Sequence, residues 1–172
     1  TNMVVNAQPI TPVVPITGAV TQPTCSVATG TFSITNYDAS YSYAFTPSVG
    51  VTNIAGTVTA PAGTYTITAT LASCISVAST NVVVNAQPLT PAAPITGTVT
   101  QLRSTAATGT FSITNYDASF SNAFTTSVGV TNIAGTVTAP AGTYTITATL
   151  GSCTSVAYPY IVVHAQPITP SD

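Results

Sequence analysis

Lysine and glutamate are absent from the 172 residues, Arg103 is the only basic side chain, and Asp38, Asp117 and Asp172 are the only acids. Charged residues make up 2% of the chain, against roughly 25% in ordinary soluble domains. Solubility therefore falls to Thr, Ser, Asn and Gln. Without a basic patch, neither nucleic acid nor an anionic membrane surface is an expected partner. The lack of Lys excludes Lys–Asn isopeptide cross-links within these residues. Long apolar runs are missing too. The positive mean hydropathy comes from Val, Ile and Ala in alternation, and no run approaches the roughly 20 residues a membrane-spanning helix needs, so no membrane insertion is expected. Paired carboxylates, a glycine-rich phosphate loop and a Ser/His/Asp set are also wanting. No catalytic residue, metal or cofactor is expected, and the chain reads as non-enzymatic.

What is present is repetition. Residues 60–71, A-P-A-G-T-Y-T-I-T-A-T-L, recur unchanged at 139–150, an offset of 79 residues from Ala60 to Ala139. Inside this stretch Pro61 and Gly63 mark a turn, after which Tyr65, Ile67, Ala69 and Leu71 alternate with Thr64, Thr66, Thr68 and Thr70. Period two with β-branched and aromatic residues predicts a β-strand with one apolar and one hydroxyl face, central in its sheet. Further strands are expected at 16–21, 31–35 with Phe32 and Ile34 inward, 41–46 with Tyr41, Tyr43 and Phe45 alternating, 49–54 and 57–59, and a final strand ends in 82–84. Short strands broken by Gly, Pro and Asn, with no helical periodicity, indicate an all-β chain. About seven strands per repeat point to two tandem immunoglobulin-like β-sandwich repeats.

The repeats meet at N-A-Q-P-[IL]-T-P-x-x-P, which begins at Asn6 and Asn85 and in part at His164. Its prolines forbid helix and central-strand pairing, so it reads as a stiff extended linker. Residues 1–5 match 80–84 and are expected to be the last strand of a preceding repeat. Repeat one then covers 6–84 with its linker at 6–15, repeat two covers 85–163 with its linker at 85–94, and 164–172 starts another. Between 32–71 and 111–150 only Tyr41/Phe120, Tyr43/Asn122 and Pro47/Thr126 differ. Near-identical copies in tandem suit a stalk or a multivalent binder, in which each copy adds reach or avidity.

The A-Q-P-x-T-P joint, T-Q-P-T-C ending at Cys25, A-T-G-T-F-S-I-T and P-A-G-T-Y-T-I-T-A-T-L-x-S-C together carry a resemblance. The chain resembles the tandem immunoglobulin-like repeats of giant secreted cell-surface adhesins of Bacteroidetes, the gliding-motility type exported by the type IX system. The resemblance covers both repeats end to end. It implies an extracellular place at the bacterial cell surface, a very long chain, and a role in cell adhesion or surface filaments. It hands over no ligand site. The departure is in repeat two, where Gln101, Leu102, Arg103 and Ser104 replace Q-P-T-C.

An extracellular setting favours disulfides, and connectivity is not set by sequence alone. Cys25 with Cys74 inside repeat one is the simplest pairing and leaves Cys153 over, because Ser104 holds the position of Cys25 in repeat two. Alternatively Cys25 pairs with Cys153 across the repeats, and Cys74 then pairs with a preceding repeat. Free thiols are the third scheme. His164 stands where the other joints carry Asn and reads as a solvated linker residue. Asp38 and Asp117 lie in N-Y-D-A-S, which reads as a turn, since calcium needs more oxygens than it offers. Tyr41 and Tyr43, with Tyr37 nearby, form either part of the core rim or an aromatic face for surface glycans.

Three functions fit these residues: a structural segment of a long bacterial adhesin or filament acting as rod or stalk, a carbohydrate-binding module pair, or a small pilin-like subunit. In the last, Thr1, Asn2, Met3, Val4 and Val5 would be a strand donated to a neighbour. Sheet edges without charged residues invite strand pairing, so self-association is expected alongside contact between neighbouring repeats. Because it owes little to charge, light scattering between about 0.05 and 1 M salt should show nearly constant association. A steep salt dependence would refute the expectation.

Overall fold

β5 (Gly63–Leu71) shows how a Thr-apolar alternation becomes the middle of a sheet. The computed structural model describes residues 3, 8–103 and 106–166, and among them there is no helix. In β5, Tyr65, Ile67 and Ala69 are buried, while Thr66, Thr68 and Thr70 on the other face are half-buried. The chain divides into two compact units, Thr1–Pro88 and Leu89–Asp172.

The first unit contains β1 (Gly30–Ser33), β2 (Ser42–Thr46), β3 (Thr52–Ile54), β4 (Thr57–Ala60), β5, β6 (Cys74–Ile75) and β7 (Val82–Val84). One sheet has the order β1-β4-β3. Residues 17–21 run along the free side of β1 through the bridges Thr17↔Ile34 and Thr21↔Thr31. The other sheet is β2-β5-β6, with β7 also pairing β5. This is the four-plus-three antiparallel arrangement of an immunoglobulin constant-type sandwich. The second unit repeats it with β8 (Gly109–Ser112), β9 (Ser121–Phe124), β10 (Thr131–Ile133), β11 (Thr136–Ala139), β12 (Gly142–Leu150), β13 (Cys153–Thr154) and β14 (Tyr158–Val163).

Each core is made where the inward faces meet. In unit one Phe32, Ile34, Val58 and Ala60 from one sheet pack on Tyr65, Ile67, Val82 and Val84 from the other. Complete burial of a side chain such as Ile67 contributes about 1.5–3 kcal/mol. In unit two Leu102 joins the equivalent set. It occupies the position of Pro23, which is also buried, so the Q-L-R-S departure keeps an apolar contact there.

Three segments differ from the sequence expectation. Residues 16–21, expected as a strand, meet the β1 segment only at the isolated bridges of Thr17 and Thr21. Residues 48–51 form a turn, with the Val51 N–H donating to the Ser48 carbonyl at 3.2 Å and Gly50 at φ 72°, so β3 begins only at Thr52. The last strand of unit one is split into β6 and β7. Between them the Ser76 and Ser79 hydroxyl oxygens accept from the Ala69 and Ile67 N–H groups at 2.9 and 3.0 Å. Side-chain rungs thus share the ladder with backbone ones. Tyr158 replaces Ser79 in unit two, and β14 there is a continuous six-residue strand pairing Tyr158 directly with Ile146.

The turn before β5 is locked by Tyr65. Its ring is 2% exposed and its hydroxyl donates to the Pro61 carbonyl at 2.8 Å, the tyrosine corner of immunoglobulin-like sandwiches. A Cβ on Gly63 would lie 3.0 Å from the Tyr65 hydroxyl, so glycine leaves the ring its room. Tyr144, Pro140 and Gly142 repeat the device, with the same 2.8 Å bond. Tyr65→Phe and Tyr144→Phe are each expected to cost about 1–2 kcal/mol, since the carbonyl loses its buried donor. Urea denaturation of both variants checks this, and unchanged midpoints would remove the corner as a stabilising device.

Candidate recognition surface

The sequence singles out three groups of residues: the N-Y-D-A-S turns with their tyrosines, the cysteines, and the joints. Each turn is pinned by its asparagine. Asn36 Oδ1 accepts from Ile16 N–H at 2.7 Å and its Nδ2 donates to the Val14 carbonyl at 2.9 Å. Asn115 makes the same pair of bonds to Ile95 and Ala93, at 2.7 and 2.9 Å. The linker prolines are therefore followed by backbone held to the sandwich. At the other end of each unit, Gln22 Nε2 donates to the Val83 carbonyl at 3.0 Å while its Oε1 accepts from Asn85 N–H at 2.8 Å. Gln101 does likewise with Val162 and with the N–H of His164. His164 thus takes part through its backbone, and its imidazole is exposed.

Within the first turn Tyr37 stacks on Tyr43, with ring centroids 5.3 Å apart and planes at 23°. The Tyr43 hydroxyl oxygen accepts from the Asp38 N–H at 2.9 Å, and the ring packs on the rim of the core. Gly56 is at φ 84°, and a Cβ there would sit 2.8 Å from the Tyr37 side chain, so glycine is required beneath the ring. Tyr41 is half-buried, its N–H donating to the Asp38 carbonyl at 3.1 Å. Tyr43 therefore spends both its ring face and its hydroxyl inside the repeat.

The two aspartates face solvent and close their own turns. Asp38 Oδ1 accepts from the Ser40 N–H at 2.8 Å and hydroxyl at 2.7 Å. Asp117 does the same with Ser119, at 2.8 and 2.6 Å. These bonds favour the charged form, chiefly the Ser40 amide for Asp38 and the Ser119 hydroxyl for Asp117, and hold both carboxyls below the usual range. No group of three His, Cys, Asp or Glu side chains able to hold a metal occurs among the described residues.

Cys74 carries a free, half-buried thiol, whereas Cys25 and Cys153 are disulfide-bonded. The Cys25–Cys74 pairing is thus not made, and the sandwich explains why. The Gln87 amide reaches the Cys25 carbonyl at 3.1 Å, just past β7, whose Val84 is the partner of Gly63 at the start of β5. Cys74 is the partner of Leu71 at the opposite end of β5. Eight strand residues span roughly 26 Å, against the roughly 6 Å between Cα atoms that a disulfide bridges. The proposed donor residues Thr1, Asn2, Val4 and Val5 lie outside the described residues, and Met3 is exposed.

No family model matches the chain, and no curated protein matches it. Among solved structures it is similar to the crystal structure of chicken CNTN1 FN1-FN3 domains, with 14% identity and a TM-score of 0.35. The match covers 88% of this chain and 67% of that one.

The asparagine pins, glutamine clamps and tyrosine corners were not singled out from the sequence. Their only signal there is recurrence at the repeat offset. The carboxylates yield a test. Because their folded pKa values are depressed, the stability they contribute is present above about pH 4, the unfolded range, and is lost as pH falls through the folded values. Thermal midpoints of Asp38→Asn and Asp117→Asn should therefore lie below that of the parent protein at neutral pH and converge with it near pH 2. Midpoints that stay apart at that pH would show that the carboxylate charge is not the cause.

Proposed function

We propose that these repeats are non-enzymatic structural units of a long bacterial cell-surface adhesin or extracellular filament, serving as rod or stalk in surface attachment. The supporting observation is what the duplication keeps. Corner, asparagine pin and glutamine clamp recur in both units with equivalent partners, so scaffold and joint are copied together. A device preserved at its joints is suited to stacking many times. Disulfide-bonded cysteines suit an oxidising compartment, in keeping with an extracellular place.

The cysteine pattern extends the reading. Cys25 bonded to Cys153 would tie consecutive repeats, and Cys74, which holds the position of Cys153 in repeat one, would serve a preceding repeat in the same way. Such a bond would resist shear at the joint that carries it, whereas Ser104, in the position of Cys25, leaves repeat two without a cysteine toward a following repeat.

The decisive measurement is the reduced, denatured mass of the protein from its source, combined with a non-reduced peptide map. A chain many times 17.2 kDa with Cys25 linked to Cys153 and Cys74 linked to a further repeat is expected. A mass near that of these residues would overturn the stalk, and a Cys25–Cys74 peptide would overturn the inter-repeat bond.

A further inference from the structure

Three exchanges between the repeats meet at one end of repeat two. Arg103 stands where repeat one has Thr24, Tyr160 where it has Asn81, and His164 where it has Asn85. These are the chain's only arginine, its only histidine and a tyrosine that is 77% exposed. Tyr160, Val162 and His164 alternate with the buried Ile161 and Val163, so they share the outward face at the end of β14.

Hydrogen bonds bring Arg103 to the same place. The Gln101 side chain donates to the Val162 carbonyl at 3.1 Å and accepts from the His164 N–H at 2.7 Å. In repeat one Gln22 spans Val83 and Asn85 in this way, and further along the Cys25 carbonyl accepts from the Gln87 amide. The two segments therefore run side by side in one direction, which places Arg103 beside residues 164–166. Leu102 turns into the core and Arg103 is exposed. Asp117 lies at the far end of the sandwich: its turn leads into β9, whose Ser121 is the partner of Thr149, whereas Val163 is the partner of Gly142. That length of β12 is roughly 23 Å, beyond a Debye length at physiological salt, so the guanidinium is not neutralised by that carboxylate.

We infer that this end of repeat two binds an acidic polysaccharide, with Arg103 holding the carboxylate of a uronic acid and Tyr160 carrying its ring. A guanidinium matches a carboxylate with two parallel N–H bonds, and an exposed phenol offers a flat apolar face with a polar tip to a pyranose. Thr143, the exposed partner of Val162, adds a hydroxyl to the same face. A peptide strand fits less well, because Gln101 already occupies the Val162 carbonyl and Pro159 has no N–H with which to extend the ladder. One cation is also too few for nucleic acid. A single exposed contact of this kind is weak, about millimolar, and is screened by salt. The site stands whether or not the stalk reading holds, since it rests on repeat two alone.

The probe is trigalacturonic acid, titrated at low salt into the intact 172-residue protein and followed by amide NMR. Saturable shifts are expected at the Val162 and His164 amides, and the fully methyl-esterified trisaccharide, which keeps the rings without the charge, should bind about ten-fold more weakly. Arg103→Thr should bring the acid down to the level of the ester, and Tyr160→Asn should weaken both. Each variant installs the residue that repeat one carries at that position, so both should fold. Unmoved Val162 and His164 amides, equal binding of acid and ester, or an Arg103→Thr variant that titrates like the parent protein would overturn the site. Response to triglutamate but not to trigalacturonic acid would overturn it in favour of an acidic peptide.

Discussion

Satisfying backbone polar groups without charge is the constraint on which this structure depends. With one basic and three acidic residues, ion pairs have almost no part in it, so neutral hydroxyls and amides hold the irregular backbone. Tyr65 closes the turn into β5, Ser76 and Ser79 complete the ladder where the last strand breaks, Asn36 fastens the entering chain and Gln22 the leaving one. Among the described residues no buried side-chain nitrogen or oxygen lacks a partner. Neutral hydrogen bonds are each worth only about 1 kcal/mol net, but a buried group left unpaired costs more. The fold is held as much by the penalty for removing these partners as by what each contributes.

The sheet-forming residues were legible because periodicity is a local property. Alternation in T-Y-T-I-T-A-T-L fixes which face is buried, and Phe32 and Ile34 face inward by the same pattern. Val49 was not legible. It continues an apolar pattern, yet Gly50 bends the chain and leaves Val49 85% exposed. The part played by Ser76 and Ser79 was not legible, because a hydroxyl acting as a ladder rung has no periodic signature. The cysteines show the limit most plainly. Sequence places Cys25 and Cys74 in one repeat, but only the path of β5 shows that they sit at opposite ends of it.

The candidate site was half legible. The tyrosines could be named, but whether Tyr43 faces a ligand or its own repeat depends on the distance from its hydroxyl to the Asp38 amide. That distance is set by a turn whose geometry rests on Asn36 and on Gly56 of the following hairpin, and no periodic pattern links either of them to Tyr43. The positions that differ between the two copies mark where the scaffold tolerates change.

Those changes are themselves linked by packing. In repeat one the half-buried tyrosine on the rim of the core is Tyr43 on β2, opposite Ala69 of the central strand. Repeat two has Asn122 there, opposite Ala148, but carries Tyr158 on β14 against the other flank of its central strand. Tyr158 packs on the core that Ser79 served only through its hydroxyl. The aromatic ring has in effect crossed the sheet. Apolar burial is roughly proportional to area and indifferent to direction, so a ring on one flank can offset the loss of a ring on the other. The second repeat can therefore lose the ring on β9 without giving up its core.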